Sequence, residues 1–198
     1  MATDIKKVIR NLLSFYDFKD KELISVGAGG GQFIEYGRTA RSVIAVDNSA
    51  EALDNLRQGL AGSGLEGKFT LVHSDFQRCD VKGDVVMFEF CLHEMPDPAQ
   101  AVERARKMAD DLLVLDHWPG SEWAYYVSEE EKVACSWQAL QAFHFRNEQK
   151  YEAVQFFRDY EELYRKVRAM GEVSIRRIKP FIGRKNFSIP MSYGFALI

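Results

Sequence analysis

The chain has 198 residues, of which 46% are hydrophobic and 28% charged, with a formal net charge of −3. That length and composition suit one globular domain with a sizeable core. The acidic balance gives no electrostatic reason to expect nucleic-acid binding, and the basic run Arg176, Arg177, Lys179, Arg184, Lys185 reads as a solvated hairpin face. The three cysteines, Cys79, Cys91 and Cys135, are too far apart for a CxxC pair and point to a reducing compartment. No apolar run is long enough to span a membrane and no leader-like core stands at the N-terminus, so a cytoplasmic protein is expected.

Ile5, Val8, Ile9, Leu12 and Leu13 recur at helical spacing and predict an opening amphipathic helix. Glu22 to Val26 reads as a short buried strand. Gly27 to Gly31 follows, and then a helix to about Tyr36. Ser42 to Val46 is a second strand, ending at Asp47. Ser49 caps a helix carrying Ala52, Leu53, Leu56 and Leu60, which Gly62 and Gly64 end. Lys68 to His73 and Asp84 to Phe90 are the third and fourth strands. Pro96-Asp97-Pro98 opens a helix with Ala101, Val102, Ala105 and Met108 facing inward. Asp111 to Leu115 is the fifth strand, ending at Asp116. Short, uniformly apolar strands alternating with helices predict a parallel sheet covered on both faces.

The pattern changes after Asp116. Residues 117 to 150 are aromatic-rich and helical in tendency, with Trp118, Trp123, Tyr125, Tyr126, Trp137, Phe143 and Phe145. A helix is predicted from about Tyr151 to Met170. Glu172 to Lys179 and Pro190 to Leu197 then read as two strands joined into an antiparallel hairpin.

Three features fall at the ends of successive strands, where open α/β sheets bind ligands. Val26-Gly27-Ala28-Gly29-Gly30-Gly31 is a tight turn that lets the backbone approach a ligand. Its spacing is GxGxG; a dinucleotide fingerprint would need glycine at Gln32. Asp47 closes the second strand, where a carboxylate can accept from ribose hydroxyls. Ser74-Asp75-Phe76 closes the third, offering an acceptor for an exocyclic amine and a ring for a base.

In this order the three features resemble the class I S-adenosylmethionine (SAM)-dependent methyltransferase family, over about residues 20 to 116 and the closing strands. The resemblance implies a Rossmann-like three-layer sandwich. Its sheet is mostly parallel and seven-stranded, with an antiparallel C-terminal strand. It also implies SAM as cofactor. Gly27, Gly29 and Gly31 would lie against the methionine part, Asp47 at the ribose, Asn48 against the adenosine, and Asp75 and Phe76 at the adenine. One position departs from the pattern. Many family members carry an acid two residues before the first glycine, where this chain has Ser25.

Val85 to Pro98 is similar to the fourth-strand segment of small-molecule methyltransferases, an apolar strand running into Leu92-His93 and a Pro-Asp-Pro helix start. Glu89 and Phe90 would face the methyl donor. Glu89-Phe90-Cys91-Leu92 is neither the Asn/Asp-Pro-Pro-aromatic motif of nucleobase amino methyltransferases nor the Pro-Cys motif of RNA cytosine enzymes. A small-molecule acceptor, apolar or aromatic, is therefore expected rather than a nucleic acid. His93 and His117 are the candidate general bases, needed only if the acceptor must lose a proton. Each can also be a packed rim histidine. His93-Glu94 opens like HExxH, but position 97 is Asp and Pro96 interrupts the helix, so no metal site is expected. Residues 117 to 150 would form a lid over the acceptor, ordinary helix-to-sheet packing or a subunit contact. The alternative to an enzyme is a non-catalytic scaffold that retains this fold.

Overall fold

The computed structural model describes residues 4–29 and 31–198; Gly30 of the glycine run lies outside the described residues. Strands β1 (Glu22–Val26), β2 (Ser42–Asp47), β3 (Phe69–His73), β4 (Val85–Glu89) and β5 (Asp111–His117) form a parallel block. They join β6 (Asn147–Asp159) and β7 (Lys185–Leu197) in one seven-stranded sheet of order β3-β2-β1-β4-β5-β7-β6, in which β7 runs antiparallel to both β5 and β6. This is the Rossmann-like methyltransferase architecture that the resemblance implied.

The helices cover both faces because the strands alternate their apolar side chains. Leu23, Val43, Val85, Met87, Leu113 and Leu115 pack toward Val8 and Leu12 of α1 (Ile5–Phe15), together with the C-terminal elements. Ile24, Val26, Val46, Val86, Phe88, Leu112 and Val114 pack toward Ala101, Val102 and Ala105 of α3 (Pro98–Met108) and toward Val133, Trp137 and Leu140 of α5 (Glu130–Leu140). Capping sets the helix starts. The Ser49 hydroxyl accepts from the Ala52 N–H at the head of α2 (Ala50–Leu60), and Asp97 accepts from the Gln100 N–H at the head of α3. Register then aligns the strand ends: Val26 is opposite Val46 and Phe88, Asp47 opposite His73, and Glu89 opposite Leu115. The loops after these strands therefore open on one rim.

Four expectations need correction. The helix expected from Tyr151 is β6 as far as Asp159; α6 (Tyr160–Val167) begins only where Asp159 accepts from the Glu162 N–H. Ala153, Gln155 and Phe157 are buried on alternate residues, a period of two, and β6 pairs with β7 from Asn147 opposite Leu197 to Asp159 opposite Lys185. The strand expected at Glu172 to Lys179 is instead α7 (Glu172–Arg177) and a 3-10 turn, with Ser174 and Ile178 buried one helical turn apart. The partner of the last strand is thus β6. The helix expected after the glycine run is a 3-10 turn at Ile34–Arg38. The basic run does not form a hairpin face either: Arg177 lies on α7, pairs with Glu130 at 2.6 Å and covers the Tyr125 ring. Among the described residues no helix is long and apolar enough to cross a membrane.

Candidate active site

Two cavities open at the rim. The first, about 390 Å³, is lined by Gly27, Asp47, Asn48, Ser74, Asp75, Phe76, Glu89, Phe90 and Glu94, among others. Every ionisable side chain on its wall except Cys91 is a carboxylate, and no lysine or arginine lines it. The Asp47 carboxylate accepts from the Ser49 N–H at 2.9 Å, and Asp75 from the Gln77 N–H at 2.8 Å. Each of these bonds occupies Oδ1 and fixes the side chain at the head of a turn. Gly27 has φ +72, and a Cβ there would sit 2.6 Å from both Cβ and Sγ of Cys91. A Cβ on Gly29 would sit 2.7 Å from Asp47 Oδ2. At both positions the loop is pressed against the strand ends more closely than a side chain permits.

The second cavity, about 490 Å³, lies on the other side of the glycine loop. Ile5, Val8, Phe33, Phe90, Trp123 and Met191 give it apolar walls, while Gln32, Glu89, His117, Gln155 and Lys166 are polar. Gly27, Glu89 and Phe90 line both cavities. Phe90 holds this junction in a left-handed conformation, φ 50, which is sterically costly for a residue with a side chain.

Glu89 resolves the departure at Ser25. Ser25 is fully buried, and its hydroxyl donates to Glu89 Oε1 from the neighbouring strand. The Tyr36 hydroxyl donates to the same oxygen at 2.7 Å. The acid absent from position 25 of β1 thus has a counterpart on the neighbouring β4, whose carboxylate meets the Ser25 side chain. Burial pushes its carboxyl up from 4.5 to about 7, with nearby Asp47 adding to the rise and the two hydroxyls opposing it.

The two histidines separate. His117 lines the second cavity, with its ring 5.0 Å from Phe90. Burial pushes it down to about 4, and Nδ1 has no partner among the described residues. His93 lines neither cavity. Its Nδ1 is 2.6 Å from Asp116 Oδ1; burial, the largest single influence, lowers its pKa, but the carboxylates of Asp116, Glu129 and Glu94 outweigh it and push it up to about 11. His73 is exposed beside the Asn48 carbonyl, and His144 is exposed. Of the aromatic residues expected in a lid, Trp123 lines the second cavity, whereas Trp137 is core and donates from Nε1 to the His117 carbonyl at 2.6 Å.

Sequence reasoning did not single out Tyr36, Gln155, Lys166 or Met191. Lys166 is half-buried; its Nζ donates to Gln155 Oε1 at 2.9 Å and lies 4.9 Å above the Trp123 ring. Burial pushes the ammonium down to about 8, with no carboxylate offsetting it.

A methyltransferase-domain family profile matches residues 24–111. Over that span the chain carries a methyltransferase domain. The matched span runs from β1 to the first residue of β5 and contains every acidic residue of the first cavity. A search of curated proteins finds no match. Solved structures of similar fold include a candidate methyltransferase of Bacillus halodurans C-125, 16% identical with a TM-score of 0.70, covering 98% of this chain and 97% of that one. A SAM-dependent methyltransferase of Aquifex aeolicus is 17% identical with a TM-score of 0.61, covering 98% and 89%. The magnesium protoporphyrin IX methyltransferase of Synechocystis PCC 6803, solved with bound SAM, is 14% identical with a TM-score of 0.57, covering 96% and 77%. These likenesses concern the fold. The chemistry of the first cavity fits the methyltransferase cofactor independently: SAM, with an ammonium, a sulfonium and one carboxylate, is a net cation, and among the described residues the wall supplies carboxylates and no lysine or arginine. A dinucleotide's pyrophosphate would meet the same carboxylates unfavourably.

Proposed function

We propose that the first cavity holds SAM and the second a small aromatic acceptor bearing an anionic group, with methyl transfer across their junction at Gly27, Glu89 and Phe90. The sharing of those three residues by two otherwise separate cavities carries this reading. In it, Asp47 accepts from the ribose hydroxyls and Asp75 from the adenine amine. Phe76 and Asn48 flank the adenosine, the glycine turn runs along the methionine part, and Glu89 faces the cationic end.

SAM supplies an electrophilic methyl group on a sulfonium. A lone pair of the acceptor atom forms the new bond to carbon as the carbon–sulfur bond breaks in line, its electrons passing to sulfur. The chain's contribution is placement and exclusion of water. Phe33, Phe90 and Trp123 hold a flat acceptor, and Lys166 holds its negative charge. His117, on the wall of that cavity, is the group assigned to an acceptor proton. His93 receives no such role, because Asp116 occupies one ring nitrogen and the ring reaches neither cavity. The segment around Trp123 closes the acceptor side as part of a lid.

Calorimetry with SAM and S-adenosylhomocysteine, followed by labelled-methyl transfer to a panel of aromatic carboxylates that also carry a hydroxyl or amino group, and to their neutral carboxylate esters, tests the reading. Binding of both nucleotides and transfer to the anionic members is expected. A folded chain that binds neither would overturn it and leave the fold as a scaffold. Asp47→Ala is expected to weaken SAM binding by about 1–3 kcal/mol, the range for a lost hydrogen bond to a charged acceptor; unchanged affinity would remove the ribose assignment.

A further inference from the structure

His93 is 5% exposed and held at two points by Asp116 of β5: its Nδ1 is 2.6 Å from Oδ1, and its backbone N–H donates to Oδ2 at 3.1 Å. Without an ion the three carboxylates hold a second proton on the ring; an ion at Nε2 would displace that proton, leaving the one on Nδ1 shared with Asp116 and the Nε2 lone pair on the opposite side of the ring. That nitrogen is 3.4 Å from Glu94 Oε1 and 3.5 Å from Glu129 Oε2. Both separations exceed an ordinary N–H···O bond. They match the edge of a tetrahedron whose bonds to its centre are about 2.1 Å, an edge of about 3.4 Å. One ligand atom from each of the three residues lies within 4.8 Å of the other two.

The surrounding charges agree. Asp116, Glu94 and Glu129 bring three negative charges, and Lys132, 2.9 Å from Glu94 Oε2, returns one positive charge while leaving Oε1 toward the imidazole. With a neutral imidazole the cluster is short of two positive charges, the charge of a divalent cation. A carboxylate on the far nitrogen of a ligating histidine is also the usual support that fixes the tautomer and orients the ring.

We propose that His93 Nε2, Glu94 and Glu129 bind a divalent transition-metal ion, zinc by preference, with the fourth position open to water or a ligand. One nitrogen and two carboxylate oxygens suit zinc better than the all-oxygen shells of calcium or magnesium. The ion would tie Glu129, immediately before α5, to the loop after β4. It would thereby fix the segment that carries Trp123 against the strand ends. The sequence contains no ligand spacing for this site because its third member comes from a different element. The proposal stands apart from the acceptor assignment.

The test is titration of chelator-treated protein with zinc by calorimetry and with cobalt by visible absorption. One ion per chain, tetrahedral cobalt bands and a raised melting temperature are expected. Glu129→Gln and His93→Gln should each weaken binding by about ten-fold or more, and His144→Ala should leave it unchanged. Should His93→Gln fail to fold, Glu129→Gln decides, since Glu129 forms no hydrogen bond that caps α5. Absence of binding by folded protein would overturn the site. So would binding that survives in Glu129→Gln, or a cobalt–thiolate band showing that a cysteine is the ligand.

Discussion

The two cavities are built differently although they share a wall. The donor side is made from the ends of β1 to β4 and the turns that follow them, so its residues run in chain order from Val26 to Pro96. The acceptor side draws on α1, the glycine loop, β4, β5, β6, α6, β7 and the helix α4 (Glu122–Tyr126). The charge differs as well: among the described residues the donor side has carboxylates and no lysine or arginine, whereas the acceptor side sets Lys166 and His117 against the shared Glu89 among apolar and aromatic residues. A methyl donor is the same molecule for many enzymes and its site can be encoded locally. An acceptor differs from enzyme to enzyme, and its site is assembled from elements that vary without disturbing the sheet.

The contrast breaks most severely at the glycine loop, which serves both sides. Gly27→Ala is expected to cost about 2–4 kcal/mol of stability through a left-handed conformation and a Cβ lodged against Cys91. It should also abolish measurable SAM binding. Thermal denaturation and calorimetry check this; a variant that binds SAM normally would show that the loop relaxes freely.

A smaller effect is expected at Glu89, the one ionisable residue common to both cavities. Its carboxyl titrates near 7 when folded against an ordinary 4.5. Between those values the folded chain holds a proton that the unfolded chain has released. The stability from that proton is complete below about 4.5 and lost as pH rises toward 7, leaving an ionised buried carboxylate that costs up to about 3 kcal/mol above it. Glu89→Gln keeps an oxygen to accept from Ser25 and Tyr36. It should therefore raise the melting temperature more at about pH 8 than at about pH 5. SAM affinity should rise with pH in the wild type and become flatter in the variant. An equal stability change at both pH values would show that Glu89 is not the titrating group.

This division also explains what could be read in advance. Asp47, Asp75 and the glycine turn were legible because each stands at the end of an apolar strand, a position that sequence pattern marks directly. Ser25 read as a missing acid, since only the sheet pairing brings Glu89 beside it. Gln155 was hidden by the β6 segment, and Met191, on a strand that was expected, by the wrong strand partner. The apolar residues of β6 fit a helix as readily as a strand, and the deciding partner, β7, lies far along the chain. Lys166 carried no signal at all: on a helix, a lysine reads as solvent-facing until the fold places it over Trp123.

Lys166 is where the smallest effect should be most informative. Lys166→Met removes a half-buried ammonium that donates to Gln155, its hydrogen-bond partner among the described residues. Burial depresses its pKa from 10.5 to about 8, so at neutral pH the folded chain holds the charge at a penalty that the unfolded chain does not bear. The variant should therefore melt at or above the wild-type temperature, and its SAM affinity should not change, because Lys166 is absent from the donor wall. Transfer to aromatic carboxylates should fall by about ten-fold, the loss of roughly 1.4 kcal/mol expected when one charge-assisted contact is removed. Transfer to the corresponding neutral esters should hold or improve. Equal loss on charged and neutral acceptors would mean that Lys166 shapes the cavity without reading charge. The acceptor would then be defined by its aromatic surface alone.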